Sequence, residues 1–226
     1  MTKRLAILFL LSGCAIGPRP VPPQALPGDR LVLTENILTN AKGLSVTFEI
    51  DGKGESVSHF AGTLELVSGN ALHLTADGQL RGEAVQIELD SRDAEGTNRS
   101  STKGPSVNSH RDPPASRLRE AVAVAFARLG LLQTLVSLAE DRPVDKSDGG
   151  ALEWLKPVDP KDGASESVNG EPCRRVDYPI RIDGQEAGET SVCISDSTAL
   201  PLQRNVTLRL PRGEITATES YKWQVK

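Results

Sequence analysis

Between Leu44 and Asp90 the chain alternates apolar and polar residues with a period of two, and no other feature narrows its fold as much. Leu44, Val46, Phe48 and Ile50 alternate with Ser45, Thr47 and Glu49, and Phe60, Gly62, Leu64 and Leu66 alternate with Ala61, Thr63 and Glu65. Leu72, Leu74 and Ala76 continue the pattern, followed by Val85, Ile87 and Leu89 set against Gln86, Glu88 and Asp90. Successive side chains of a strand point to opposite faces, so the pattern predicts four strands with one buried and one wet face. Asp51-Gly52, Ser68-Gly69-Asn70 and Asp77-Gly78 are the expected turns of an antiparallel meander.

A second run of alternation closes the chain. Val176, Tyr178, Ile180 and Ile182 form one predicted strand, Val192 to Ile194 the end of its return, and Val206, Leu208 and Leu210 a third. Ile215, Ala217, Glu219, Tyr221, Trp223 and Val225 share one side of the last. Pro179 lacks an N–H and so marks an edge or an interruption. Between the two runs, Pro114 to Glu140 reads as helix, with Leu118, Val122, Leu129 and Val136 on one side and Val124, Leu131, Leu135 and Leu138 on the other. A helix apolar all round is either buried on both sides or turns an apolar face toward a ligand, and Gly130 is its natural breaking point. A shorter helix is expected from an N-cap at Thr34 to a stop at Gly43. The polar stretch 91–113 reads as a loop with room for a short strand, and 141–162 as a connection pinned to the core by Trp154-Leu155.

Strands, helix, then strands is an α+β pattern. It predicts a strongly curved antiparallel sheet, a half-barrel of about eight or more strands, with helices packed in or over its concave face. Such an arrangement would leave a hydrophobic ligand cavity lined by Phe48, Leu64, Leu74, Ile87, Val122, Phe126, Leu129 and Tyr178.

The beginning of the chain bears on where this domain works. In MTKRLAILFLLSGCAI, the basic Lys3 and Arg4 precede an apolar run from Leu5 to Leu11, and Ser12-Gly13 leads into Cys14. That layout resembles a secretory signal peptide, and Leu11-Ser12-Gly13-Cys14 resembles the bacterial lipobox, in which the Cys is acylated before cleavage. The apolar run is too short to span a bilayer, which takes ~20 residues. Residues 15–29 hold five prolines and favour an extended tether. The expected organisation is a signal peptide over 1–13, a lipidated Cys14 and Pro-rich tether over 14–30, and one domain over 31–226. The lipobox resemblance implies a bacterial envelope location facing the periplasm. Ala15, where a retained lipoprotein carries Asp, favours the outer membrane over the inner. Cys173 and Cys193 are then an even pair in an oxidising compartment and are expected to form a disulfide. A three-residue loop around Asp183-Gly184 would set the two cysteines opposite one another, and a two-residue turn would set them on a diagonal.

Composition excludes some partners. Without Lys3 and Arg4, 24 basic residues face 30 acidic ones, and aromatics are only 4% of the chain. Nucleic acid would want a basic face with stacking platforms, so none is expected as a partner. No nucleophile-elbow, zinc-protease or phosphate-loop motif occurs, and no Cys-x-x-Cys spacing suggests a metal. His59 and His73 read as polar residues of a sheet face, and His110, Arg111 and Asp112 as a solvated loop. Neither catalysis, metal nor cofactor is expected.

The order of lipobox, short helix, meander, helical segment and terminal strands is similar to the lipoprotein-localisation factor superfamily, the LolA/LolB-like half-barrels. Val168-Asn169-Gly170-Glu171-Pro172-Cys173 and Ser197-Thr198-Ala199-Leu200-Pro201-Leu202 carry the local likeness. The resemblance implies a concave apolar face that holds a lipid or acyl chain, with no catalytic centre. No functional residue transfers position by position, and the long polar segments 91–113 and 141–167 depart from the pattern. The sequence therefore predicts a membrane-anchored binder of a hydrophobic ligand or, alternatively, a structural or interaction subunit of an envelope complex.

Overall fold

Strand pairing extends well beyond the segments that alternation marks. The computed structural model describes residues 25–54, 57–67, 71–92, 97–103, 108–111, 118–139, 156–182, 185–210 and 213–225. Cys14, most of the tether, Trp154-Leu155, Asp112 and the Asp183-Gly184 turn lie outside them, as do the side chains of His110 and Arg111. In chain order the elements are α1 (Pro27–Asn40), β1 (Leu44–Gly54), β2 (Ser58–Leu66), β3 (Leu72–Leu80), β4 (Glu83–Arg92), β5 (Thr97–Lys103) and β6 (Asn108–Arg111). Then come α2 (Leu118–Leu129), α3 (Leu132–Ala139), β7 (Lys156–Pro157), β8 (Lys161–Val168), β9 (Glu171–Ile182), β10 (Gln185–Ser195), β11 (Pro201–Leu210) and β12 (Gly213–Val225).

These strands make one twelve-stranded sheet in the order β6-β5-β4-β3-β2-β1-β12-β11-β10-β9-β7, with β8 also paired to β9. The first and last strands meet at its middle, where Phe48 faces Tyr221 and Ile50 faces Glu219 across an antiparallel ladder. One sheet face carries Val46, Phe48, Ile50, Phe60, Leu64, Leu74 and Ile87, all buried in a single core with Val122, Phe126 and Leu129 of α2 and with Leu131, Leu132 and Leu135 around α3. The other face carries the exposed Thr47, Glu49, Asp51 and His59. The predicted alternation therefore sorts residues between core and water, at ~25 cal/mol per Å² of apolar surface buried.

Several expectations need correction. Helix α1 starts at Pro27, inside the stretch assigned to the tether, because a proline suits the first helical turn. Thr34 is consequently an interior residue and not an N-cap; its hydroxyl donates to Ala199 O at 2.7 Å. Asp51-Gly52 and Asp77-Gly78 lie within strands. The β3–β4 turn is Arg81-Gly82, with φ of 55° and 84°, the pair of positive values that a tight hairpin takes. Gly78 serves packing instead: a Cβ there would lie 2.6 Å from a ring carbon of Phe60, its cross-strand partner.

The polar stretches also form strands. β5 and β6 continue the meander past β4, and β8 pairs along β9. Neither has an alternating pattern; β8 is exposed along most of its length, and ladder hydrogen bonds hold it without a buried face. Pro179 falls between the β7 and β8 pairings, in the gap between Ile180 (opposite Pro157) and Asp177 (opposite Lys161).

The disulfide forms through a parity change. Gln185 pairs with Ile182, which makes the β9–β10 connection two residues long, and an unbroken ladder would then set Cys173 opposite Ile194. Cys193 would point to the other face. A bulge between Glu186 and Gly188 inserts Ala187 and moves Cys173 opposite Ser195. Cys193, two residues from Ser195, now shares the face of Cys173, and the two are bonded with Cα atoms 5.5 Å apart. Deleting Ala187 is expected to leave both thiols free. Thiol titration of the denatured, unreduced protein should then count two more than the parent; an unchanged count would refute the parity argument.

Candidate functional site

Of the eight residues expected to line a cavity, seven converge in one buried core and the eighth lies in a second. Phe48, Leu64, Leu74, Ile87, Val122, Phe126 and Leu129 belong to one core cluster; Tyr178 belongs to a second with Leu31, Val176, Val192 and Ile194. None retains more than 6% of its accessible surface.

Where α2 meets α3 the core turns polar. Gly130 separates the two helices at φ 89°, and a Cβ there would lie 2.2 Å from a carboxylate oxygen of Glu219. Helix ends leave backbone groups unpaired, carbonyls at the C-terminus and N–H groups at the N-terminus. Both sets are met by adjacent residues of the sheet. Arg204 of β11 and Glu219 of β12 are cross-strand partners, and both point inward. Arg204 Nη2 donates to Phe126 O at 3.1 Å and Ala127 O at 2.6 Å, and Nη1 to Arg128 O at 3.0 Å. Nη1 also reaches Tyr178 Oη at 2.9 Å and Thr190 Oγ1 at 3.3 Å, while Tyr178 Oη donates to Arg128 O at 2.7 Å. Glu219 accepts from Leu131 N at 2.8 Å, Leu132 N at 3.0 Å and the Tyr221 hydroxyl. A cation at one helix C-terminus and a carboxylate at the next N-terminus are each the charge that the helix dipole favours.

Burial sets the electrostatics of this cluster. It pushes the Glu219 carboxyl above the usual carboxylate range, against the opposing pull of Arg204 and of the Tyr221, Leu132 and Leu131 donors. Burial alone would lower the Arg204 value, but Tyr178, Tyr221 and Glu219 outweigh it and keep the guanidinium charged. Burial and Glu219 together hold the Tyr221 phenol well above its ordinary value. With Arg204 at 1%, Glu219 at 0% and Tyr221 at 2% exposure, the cluster joins helices to sheet and offers no group to a substrate.

Other ties fix α1 and α2. Arg128 forms a two-bond ion pair with Glu35, at 3.0 and 2.8 Å. Buried Arg30 reaches Asp196 at 3.2 Å, beside a turn in which Ser195 Oγ accepts from Ser197 N and Thr198 N. Phe126 stacks on Trp223 with ring centroids 5.4 Å apart. A cavity of about 280 Å³ lies alongside, between Val168, Leu200, Leu202, Tyr221 and Trp223, with Glu171 and Lys222 in its polar lining. None of the eight expected residues lines it. His59 and His73 stay apart: His59 faces Gln79 and hydrogen-bonds Asp51, whereas His73 faces Glu65 and lies 3.7 Å from Asp90.

No family model matches the sequence, and no curated protein does. Among solved structures, a chain of the Pseudomonas aeruginosa MucA/MucB complex is similar over 88% of this chain at 14% identity, with a TM-score of 0.41. This chain spans 57% of that one. A LolA superfamily protein, NE2245 of Nitrosomonas europaea, is similar over 89% of this chain and 94% of its own, at 10% identity and a TM-score of 0.27. A β-barrel-like protein of Brucella abortus covers 82% of this chain at 8% identity and a TM-score of 0.35, with 98% of its own length matched. Overlaps this loose assign neither ligand nor partner.

Removing one member of a buried charged pair strands the other, at a cost of about 3–5 kcal/mol. Arg204→Met is expected to lower unfolding free energy by that order in urea denaturation at neutral pH. The pH dependence belongs to Glu219. A carboxyl raised in the folded state contributes stability that is fully present below the ordinary carboxylate range and is lost as pH rises through the raised value. The advantage of the parent over Glu219→Gln should therefore be largest in acid and shrink toward neutral pH. An advantage that grows with pH would show that the carboxyl is depressed instead.

Proposed function

We propose that this chain is a periplasm-facing lipoprotein, anchored through Cys14, whose domain acts without catalysis as an interaction module of an envelope assembly. The observation that supports the reading is the packed core: seven of the residues expected to line a lipid cavity are buried in one cluster, and α2 and α3 are tied to the sheet at their junction. Helix α3 lies against β3, β4 and β5 and its start is held by β12, while the end of α2 is held by β9 and β11. We read this as a half-barrel wrapped about its helices, a solid body suited to presenting surfaces. Absence of a motif for nucleophile, base or phosphate binding supports a non-enzymatic role.

The 280 Å³ cavity beside Trp223 favours a second reading, a binder of a small hydrophobic group. Its volume falls just under the ~300–1,000 Å³ of typical ligand pockets. Native mass spectrometry of protein purified without detergent separates the two. The interaction reading predicts the mass of the acylated chain alone, together with a stoichiometric protein partner on mild extraction from membranes. A lipid retained at one equivalent would overturn it in favour of the carrier. Two or more acyl chains give stable anchoring, so Cys14→Ser is expected to move the protein from membrane to soluble fractions. Retention in the membrane fraction would remove the anchor from the reading.

A further inference from the structure

We propose that Glu49, Asp51 and His59 form a surface site for a divalent transition metal of the zinc type. The three sit on the outer face of β1 and β2, and their ligating atoms all lie within 4.8 Å of one another. Glu49 and Asp51 are two residues apart on one strand and so share a face, and His59 is the direct cross-strand partner of Asp51. Bonds of ~2.0–2.2 Å in a tetrahedral site put donors ~3.4–3.6 Å apart, so these exposed side chains need only small rotations to close on a single ion. Imidazole with carboxylates suits zinc-like metals better than calcium or magnesium, which prefer oxygen alone.

The strands hold these donors in place from beneath. Ile50, beside Glu49 and Asp51, and Phe60, beside His59, point to the opposite face and are fully buried in the core. A site on packed strands keeps its spacing better than one on a loop. His59 Nδ1 already lies 2.8 Å from Asp51 Oδ1, so the ring and one carboxylate are aligned. The Glu49 carboxylate makes no hydrogen bond or ion pair among the described residues, and its neighbours across β2 and β12 are the small Ala61 and Ser220. A carboxylate without a partner and open space above it complete three ligands of a set whose remaining positions water would fill. Nearby positive charge is Lys53, two residues beyond Asp51, and Lys222, diagonal to Glu49.

Titration calorimetry of zinc chloride into the full, tag-free chain tests the assignment. One ion should bind per chain, with a dissociation constant of about 1–100 µM for three exposed ligands. Glu49→Gln and His59→Gln should each weaken binding at least about tenfold, the loss expected when a ligand is removed. His73→Gln, whose imidazole lies at the far end of β2 and β3, should bind as the parent does. No saturable binding below about 1 mM, an unchanged constant in His59→Gln or Glu49→Gln, or a loss confined to His73→Gln would each overturn the proposal.

Discussion

The rest of the structure depends on a pair of opposite charges buried side by side on β11 and β12. Arg204 takes the carbonyls at the end of α2, and Glu219 takes the N–H groups at the start of α3. Either alone would be a costly intruder in an apolar core. Together they satisfy two helix ends that Gly130 exposes within about one turn of chain. The break in the helix and the charges in the sheet therefore need each other. An uninterrupted helix would present nothing for the charges to bind, and an apolar sheet would leave the broken ends unpaired. The pair also fixes where the helices lie along the strands, because its hydrogen bonds are directional while the surrounding Leu and Phe contacts are not.

The same logic recurs at α1 with less charge. Arg30 and Thr34 reach the Asp196–Ala199 turn, and Glu35 reaches Arg128. Each helix is thus attached to the sheet or to another helix by polar bonds set into an apolar contact. Apolar burial supplies most of the stability of such a domain, and the polar bonds select one arrangement among many that would bury similar area.

The sheet face was legible in the sequence because alternation of Val46, Phe48, Ile50 with Thr47, Glu49 states directly which side is wet. The break at Gly130 was legible for a similar reason, a glycine inside an otherwise continuous apolar helix. Strands β5, β6 and β8 were not, since neither TNRSSTK nor KDGASESV alternates apolar with polar residues. Glu219 stood in plain view among the inward residues of the last strand, between Ala217 and Tyr221, and Arg204 two before Val206. Their inward parity was readable, but what they would bind was not, because the partners are backbone groups some seventy to ninety residues away. The eight residues read as a cavity lining are buried. Alternation cannot say whether inward-facing side chains meet across a gap or fill it, for volume is a property of both sides at once.

The bulge at Ala187 gives the disulfide a role in assembly that its strength alone does not. A hairpin that pairs β9 with β10 one residue out of register buries the wrong face of one strand and also sends the two sulfurs to opposite sides of the sheet. Such a chain cannot oxidise internally; it keeps two thiols open to exchange with other disulfides. Only a chain in the native register closes the bond and withdraws from that chemistry. The bond thus marks the register: it closes only where β9 and β10 are paired as in the native sheet.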